Sequence, residues 1–346
     1  MKKISSLFTA MLILMAAAGS LTAQEYKNTI VTPFPDLKIN NRDNIIYTSS
    51  FSSAWKMLER DVLGDVVKVK KKLMLVDRMN ESEPVELNRK DCLNLSGFVK
   101  DGIVDKIKSE LKSKFNKDID PALYSNEQEN IICYSYFNKN IRFKTKFEVY
   151  DQAFPFFCNE GQFDVKCFGI WSLNNSENHR KISRQVKIYD YKNIGDYILS
   201  INNSRSEDEL ILAAVAPGET LYKTVQTTLE RIKHNEPENP AENDRLILPM
   251  VKIGINKKYQ ELYGVHLANK GFESYFFAEA MEDIQFELNE SGAFADSESK
   301  IILKKGPGPR IMIINHPFLL MMKEKKSDQP YFAAWIANPE LLLVSR

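Results

Sequence analysis

The chemistry open to this chain lies in a peptide bond more than in a catalytic side chain. Lys304-Lys305-Gly306-Pro307-Gly308-Pro309-Arg310 is a run of chain breakers and positive charge, a composition that belongs on an exposed tip. Lys304 and Lys305 would suit a protease with an acidic primary pocket, while Pro307 would hinder cleavage after Gly306; the same pair also fits an ordinary solvated turn. Catalytic machinery of the chain's own is not legible. There is no G-x-S-x-G, no H-E-x-x-H, no P-loop and no glycine-rich dinucleotide fingerprint. His179, His234, His266 and His316 are scattered, and the four cysteines fit no zinc spacing. No catalytic residue, metal or cofactor is expected.

The element that must present this tip precedes it. From Ala293 to Lys304 the odd positions are Ala293, Ala295, Ser297, Ser299, Ile301 and Leu303, small or apolar throughout. The even positions are Phe294, Asp296, Glu298, Lys300, Ile302 and Lys304. Strand side chains alternate between faces, so the odd face can enter a packed sheet while most of the other stays in water.

Elsewhere strands dominate. The pattern predicts strands over Ile131 to Phe137, Ile141 to Tyr150, Phe163 to Ser172, Gln185 to Tyr191, Tyr197 to Ile201 and Glu209 to Val215. Further strands are expected over Arg245 to Ile255, Ile284 to Leu288, Ile311 to Ile314, Phe318 to Lys323 and Tyr331 to Ala337. Helices are predicted for Gly102 to Phe115 and Thr220 to Ile232, whose apolar residues recur every three to four positions. Asn44 to Leu58 reads as a strand running into a helix, and Val66 to Val76 alternates in places. Many strands, few helices and no regular alternation argue for an α+β fold in one domain.

Lys2-Lys3, the apolar stretch Leu7 to Ala18 and the small residue Ala23 read as a signal peptide over residues 1–23, leaving 24–346 as the folded domain. No cysteine follows the apolar stretch, which argues for a soluble secreted or periplasmic protein over a lipid-anchored one. Removing that segment takes away two lysines and turns the formal charge from +1 to −1. Such a near-neutral chain gives no reason to expect nucleic acid or an anionic membrane surface as a partner. Cys158 and Cys167 flank a plausible loop, so the spacing leaves open either a bridge between them or free thiols.

Several segments together resemble the serpin family. Asn315-His316-Pro317-Phe318-Leu319-Leu320, followed by Tyr331 to Pro339, looks like the family's C-terminal strand pair with its closing N-P. Phe286 to Ala293, with Glu290-Ser291-Gly292, resembles its E-x-G hinge, and residues 293–314 between hinge and Asn315 match the length of its reactive loop. Tyr134 to Phe137, Glu209 to Pro217, Leu246 to Lys252 and Asn44 to Leu58 are similar to further family strands and its first strand and helix.

The resemblance implies large mixed sheets with packed helices, an exposed reactive loop and no enzyme activity. It implies a suicide substrate of serine or cysteine proteases: a monomer whose cut loop inserts into its own main sheet and deforms the attacker. On that reading Gly292, Ala293, Ala295 and Ser297 form the loop hinge. Lys304, Lys305, Gly306 and Pro307 hold the scissile bond, with a trypsin-like target suggested by the lysines. The alternative within the family is a non-inhibitory protein that binds a partner or a small ligand. Departures bear on the choice: the chain between Leu58 and Ile131 is short for the family, Cys133 stands at its usual asparagine, and Glu282 stands at its usual histidine. The tryptophan that normally follows the central strand is replaced around Ile141 to Phe143. Glu282, if buried without partners, would cost several kcal/mol.

Overall fold

The computed structural model describes residues 26–85, 90–118, 127–137, 143–170, 177–202, 207–291 and 309–345. In chain order the first elements are β1 (Thr29–Thr32), β2 (Asn44–Thr48), α1 (Ser50–Met57), α2 (Met74–Glu81), β3 (Cys92–Phe98), α3 (Ile103–Phe115) and β4 (Ile131–Phe137). Then follow β5 (Glu148–Val149), β6 (Phe154–Cys158), β7 (Gly161–Val165), β8 (Cys167–Ile170), α4 (Glu177–Gln185), β9 (Val186–Asn193), β10 (Asp196–Asn202) and β11 (Asp208–Ala214). The rest are α5 (Leu221–Lys233), β12 (Arg245–Pro249), β13 (Val251–Lys258), β14 (Met281–Leu288), β15 (Ile311–Ile313), β16 (Phe318–Glu324) and β17 (Phe332–Ile336). The fold is α+β, as the strand-rich pattern implies.

The largest sheet has seven strands in the order β1-β2-β17-β16-β11-β10-β9. Its middle strands are apolar on both faces and buried on both, because the main core covers one side and α5 the other. Leu199, Leu212 and Leu320 point to the main core, while Ile198, Ile211, Leu319 and Trp335 meet Leu221, Val225 and Leu229 of α5. That helix begins where the sequence places it: Thr220 is the cap residue, its Oγ1 accepting from Lys223 N at 3.1 Å. A second sheet runs β15-β12-β8-β5, and three strand pairs, β3-β4, β13-β14 and β6-β7, complete the set.

Two of the expected long strands are each cut in two. Arg245 to Ile255 breaks at Met250 into β12 and β13, and Phe163 to Ser172 breaks at Lys166 into β7 and β8. The C-terminal segment comes between them. Lys166 N donates to Leu343 O (2.8 Å), Leu343 N to Met250 O (3.0 Å) and Met250 N to Lys166 O (2.8 Å), a ring of backbone bonds among three distant stretches. Each break redirects a strand into a different sheet while leaving its backbone groups paired.

Other expectations need correction. Among the described residues of the expected strand from Ile141 to Tyr150, only Glu148 and Val149 form a strand, and Phe143 and Phe147 instead bury their rings against Phe168. Where Val66 to Val76 suggested alternation, the chain enters helix α2, because Val76 and Met79 fall on one helical face that packs with Trp55, Tyr259 and Leu267. All four cysteines are free thiols. In the β6-β7 hairpin Cys158 pairs with Gly161 at the turn, while Val165 pairs with Phe154 at the open end. That open end is roughly 13 Å along the ribbon from Cys158, and Cys167 lies beyond it, too far for a bridge.

Candidate functional site

All the hinge and cut residues expected from the sequence, Gly292, Ala293, Ala295, Ser297, Lys304, Lys305, Gly306 and Pro307, lie outside the described residues. The structure does describe the two ends that hold this segment and the cleft beside its first end.

At the first end β14 stops at Leu288, and Glu290 reaches across to the chain leading into β5. Its Oε1 lies 2.9 Å from Lys146 Nζ, and its carbonyl accepts from Phe147 N at 3.1 Å. Burial works to raise the Glu290 carboxyl, but the Lys146 hydrogen bond, backbone bonding and the Lys146 charge together hold it below the usual carboxylate range. Ser291 N donates to Asn289 Oδ1 at 2.8 Å and fixes the turn out of the strand.

At the second end Arg310 is clamped. Its backbone N donates to Asp244 Oδ1 (2.7 Å), its Nε to Asp244 Oδ2 (2.8 Å), its Nη1 to Glu238 Oε2 (2.9 Å) and its Nη2 to Asn239 O (3.3 Å). Asp244 is buried, so this charged fork is held far more firmly than a surface pair. The next residues form β15, which runs parallel to β12 in register Arg245 with Ile311.

The cleft lies between β4 and β14. Among the described residues β4 pairs with β3 and β14 with β13, and no described strand covers the other edge of either. All of β4 and residues 281–286 of β14 line a cavity of about 620 Å³ between those edges. The two faces of the split differ. On the outer side Tyr134 and Tyr136 alternate out of β4 to meet Ile103, Ile107 and Leu111 of α3, which lies across it. On the inner side Phe137 packs edge-on to Tyr331 and Phe286 stacks on Phe332, facing the main core.

Glu282 closes the inner floor, where α1 starts. It is buried and accepts hydrogen bonds from Thr48 Oγ1 and Ser50 Oγ, from Tyr259 Oη at 3.0 Å and from the Phe51 backbone. The sequence alone left open a buried carboxyl with no partner; the fold supplies four donors. Burial raises the Glu282 carboxyl above its ordinary value, with the hydroxyl and backbone donors opposing. Its neighbour Tyr47 is pushed up to about 12 by burial and then by the Glu282 charge. Cys133, in the β4 wall, is likewise raised to about 12, chiefly by desolvation, so its thiol is not activated.

The histidines do not converge. His316 stacks on Phe157 with ring centroids 5.4 Å apart, His179 is buried in α4, and His266 lies beside Phe276. Among the described residues no group of three or more His, Cys, Asp and Glu side chains could hold a metal ion. The anchors Lys146 and Arg310 escaped sequence reasoning, since an isolated basic residue carries no spacing signal. Asp244, on the turn before β12, is the one cue that its sequence neighbours could not supply.

No protein-family model matches the chain. Among solved structures it is similar to a serine protease inhibitor, serpin-12 of Manduca sexta, with 15% identity and a TM-score of 0.52 over 86% of this chain and 93% of that one. It is also similar to thyroxine-binding globulin in complex with thyroxine (13% identity, TM-score 0.48, 86% and 93% covered). Serpin48 of the insect Tenebrio molitor gives 12% identity and a TM-score of 0.46 over 85% and 92%. The fold of this chain is the serpin fold.

Proposed function

We propose that this serpin-fold chain is a secreted or periplasmic protease inhibitor that acts as a suicide substrate, with residues 293–314 as its reactive loop. The observation that carries this reading is the pair of strand edges, β4 and β14, facing each other across a cleft of about 620 Å³. Two strand edges that no described strand covers, set opposite each other, favour one more strand. The segment continuous with β14 has the pattern to supply it, with Ala293, Ala295 and Ser297 small enough to pass inward without overpacking. Eleven inserted residues would form about ten ladder bonds worth about 1 kcal/mol each, on the order of 10 kcal/mol in all.

Arg310 explains why cutting matters in this reading. While the chain is intact, its far end is held by Asp244 and Glu238, so the loop cannot follow itself into the sheet. Cleavage at Lys304 or Lys305 frees the near half. A protease still joined to that half as an acyl-enzyme is carried along. The lysines point to a trypsin-like target.

Incubation with trypsin tests the proposal. A detergent-stable covalent complex and a raised melting temperature of the nicked chain are expected. Degradation with no complex and an unchanged transition would overturn inhibition and leave a serpin-shaped binding protein.

A further inference from the structure

The cleft between β4 and β14 has a charge that strand insertion does not call for. Three carboxylates line it, Glu279, Glu282 and Asp283, against one ammonium, Lys117. Among the described residues none of the three is in an ion pair: Asp283 accepts from Gln285 Nε2 at 3.2 Å, and Glu282 accepts from hydroxyls and backbone. The donors around Glu282 are all neutral, so no cation offsets its charge when it is ionised, and an incoming ammonium would favour that ionised form. The volume of about 620 Å³ falls within the range of small-molecule sites, roughly 300–1,000 Å³. The walls are aromatic, with Tyr134, Tyr136, Phe137, Phe286 and Phe332 among them. The molecule already places one ammonium on this surface, since Lys117 Nζ lies 4.3 Å from the centroid of Tyr136.

We propose that this cleft binds an organic cation with an apolar body, its ammonium directed to Glu282 and its body against the aromatic walls. Asp283 and Glu279, at the exposed side, draw the cation in, and Glu282 at the floor holds it. A neutral or anionic molecule of the same shape lacks the charge term and binds more weakly. The site is a property of the intact chain and does not rest on strand insertion, although an inserted strand would displace the ligand.

Calorimetry of the intact protein at low salt, comparing a phenylalkyl trimethylammonium ion with its neutral tert-butyl isostere, tests this directly. The two have the same shape and differ by one charge. The ammonium compound is expected to bind about tenfold more tightly, the scale of one desolvated cation contact. Glu282→Gln should remove most of that preference, and the exposed Asp283→Asn about a twofold part of it. Trp55, which lines the cleft, should change its fluorescence on binding, and Trp55→Phe should abolish that signal.

Equal affinity for the two compounds, no binding of either at millimolar concentration, or a preference that survives in the Glu282→Gln, Asp283→Asn double variant would each overturn the proposal. If Glu282→Gln fails to fold, Asp283→Asn with Glu279→Gln on the exposed rim and the salt dependence of the preference decide it. Binding that persists after the loop is nicked would count against strand insertion while leaving the cation site standing.

Discussion

The seven-stranded sheet and the two strand pairs beside the cleft are built in opposite ways. In the seven-stranded sheet β10, β11, β16 and β17 each pair on both sides, and their side chains are buried on both faces. The β3-β4 and β13-β14 pairs stop short of each other, and every residue of β4 is only half-buried. The first arrangement leaves little free energy to be gained by change. In the second, α1 contacts β3, β4 and β14, α3 packs on β3 and β4, and Glu290 meets Lys146 beyond the end of β14. On the proposed function, rigidity and capacity for change would fall to different sheets of one molecule.

Substitutions should expose that contrast. Trp335→Ala, in the closed sheet, removes a fully packed ring and is expected to cost about 3–5 kcal/mol in denaturant unfolding. Tyr134→Ala, in β4, should cost about 1–2 kcal/mol, because its ring is only half out of water. Equal losses at the two sites would remove the distinction between the sheets.

Smaller effects bear on the latch. Lys146→Ala breaks a partly exposed ion pair and should change stability by only about 0.2–1 kcal/mol. Its effect should appear instead in rate: the nicked chain should reach its raised melting temperature several times faster than wild type, as followed by thermal scans at successive times. An unchanged rate would place the barrier elsewhere.

The smallest effect concerns pH. Glu282 is raised by burial, so the folded chain holds its proton more tightly than the unfolded chain does. Stability from this group is therefore complete below the unfolded carboxylate value of about 4.3 and is lost as pH rises through the folded value. Glu282→Gln stays uncharged throughout, so its melting temperature should fall less than that of wild type as pH climbs toward neutrality. Parallel profiles would show that the four donors fully offset burial.

Much of the fold is legible in short stretches. α3 and α5 follow from apolar residues at helical spacing, and the Thr220 cap fixes where α5 begins. β16 and β17 are apolar runs bounded by turn residues. α4 is the counterexample: Glu177–Gln185 is almost entirely polar and carries no apolar stripe, yet Ile182 joins the main core and His179, Ser183 and Gln185 are buried. α2 is another, since its helical face becomes visible only when Trp55 and Tyr259 are beside it.

The candidate site divides the same way. The expected tip at Lys304-Lys305-Gly306-Pro307 and the alternation before it are read from neighbouring residues alone, and they lie outside the described residues. The cleft, the Arg310 clamp on Asp244 and the four donors around Glu282 join residues 66, 23 or more than 200 positions apart. Pairing edges, burial and charge compensation depend on what lies across the molecule, and folding alone brings those groups within a bond's length.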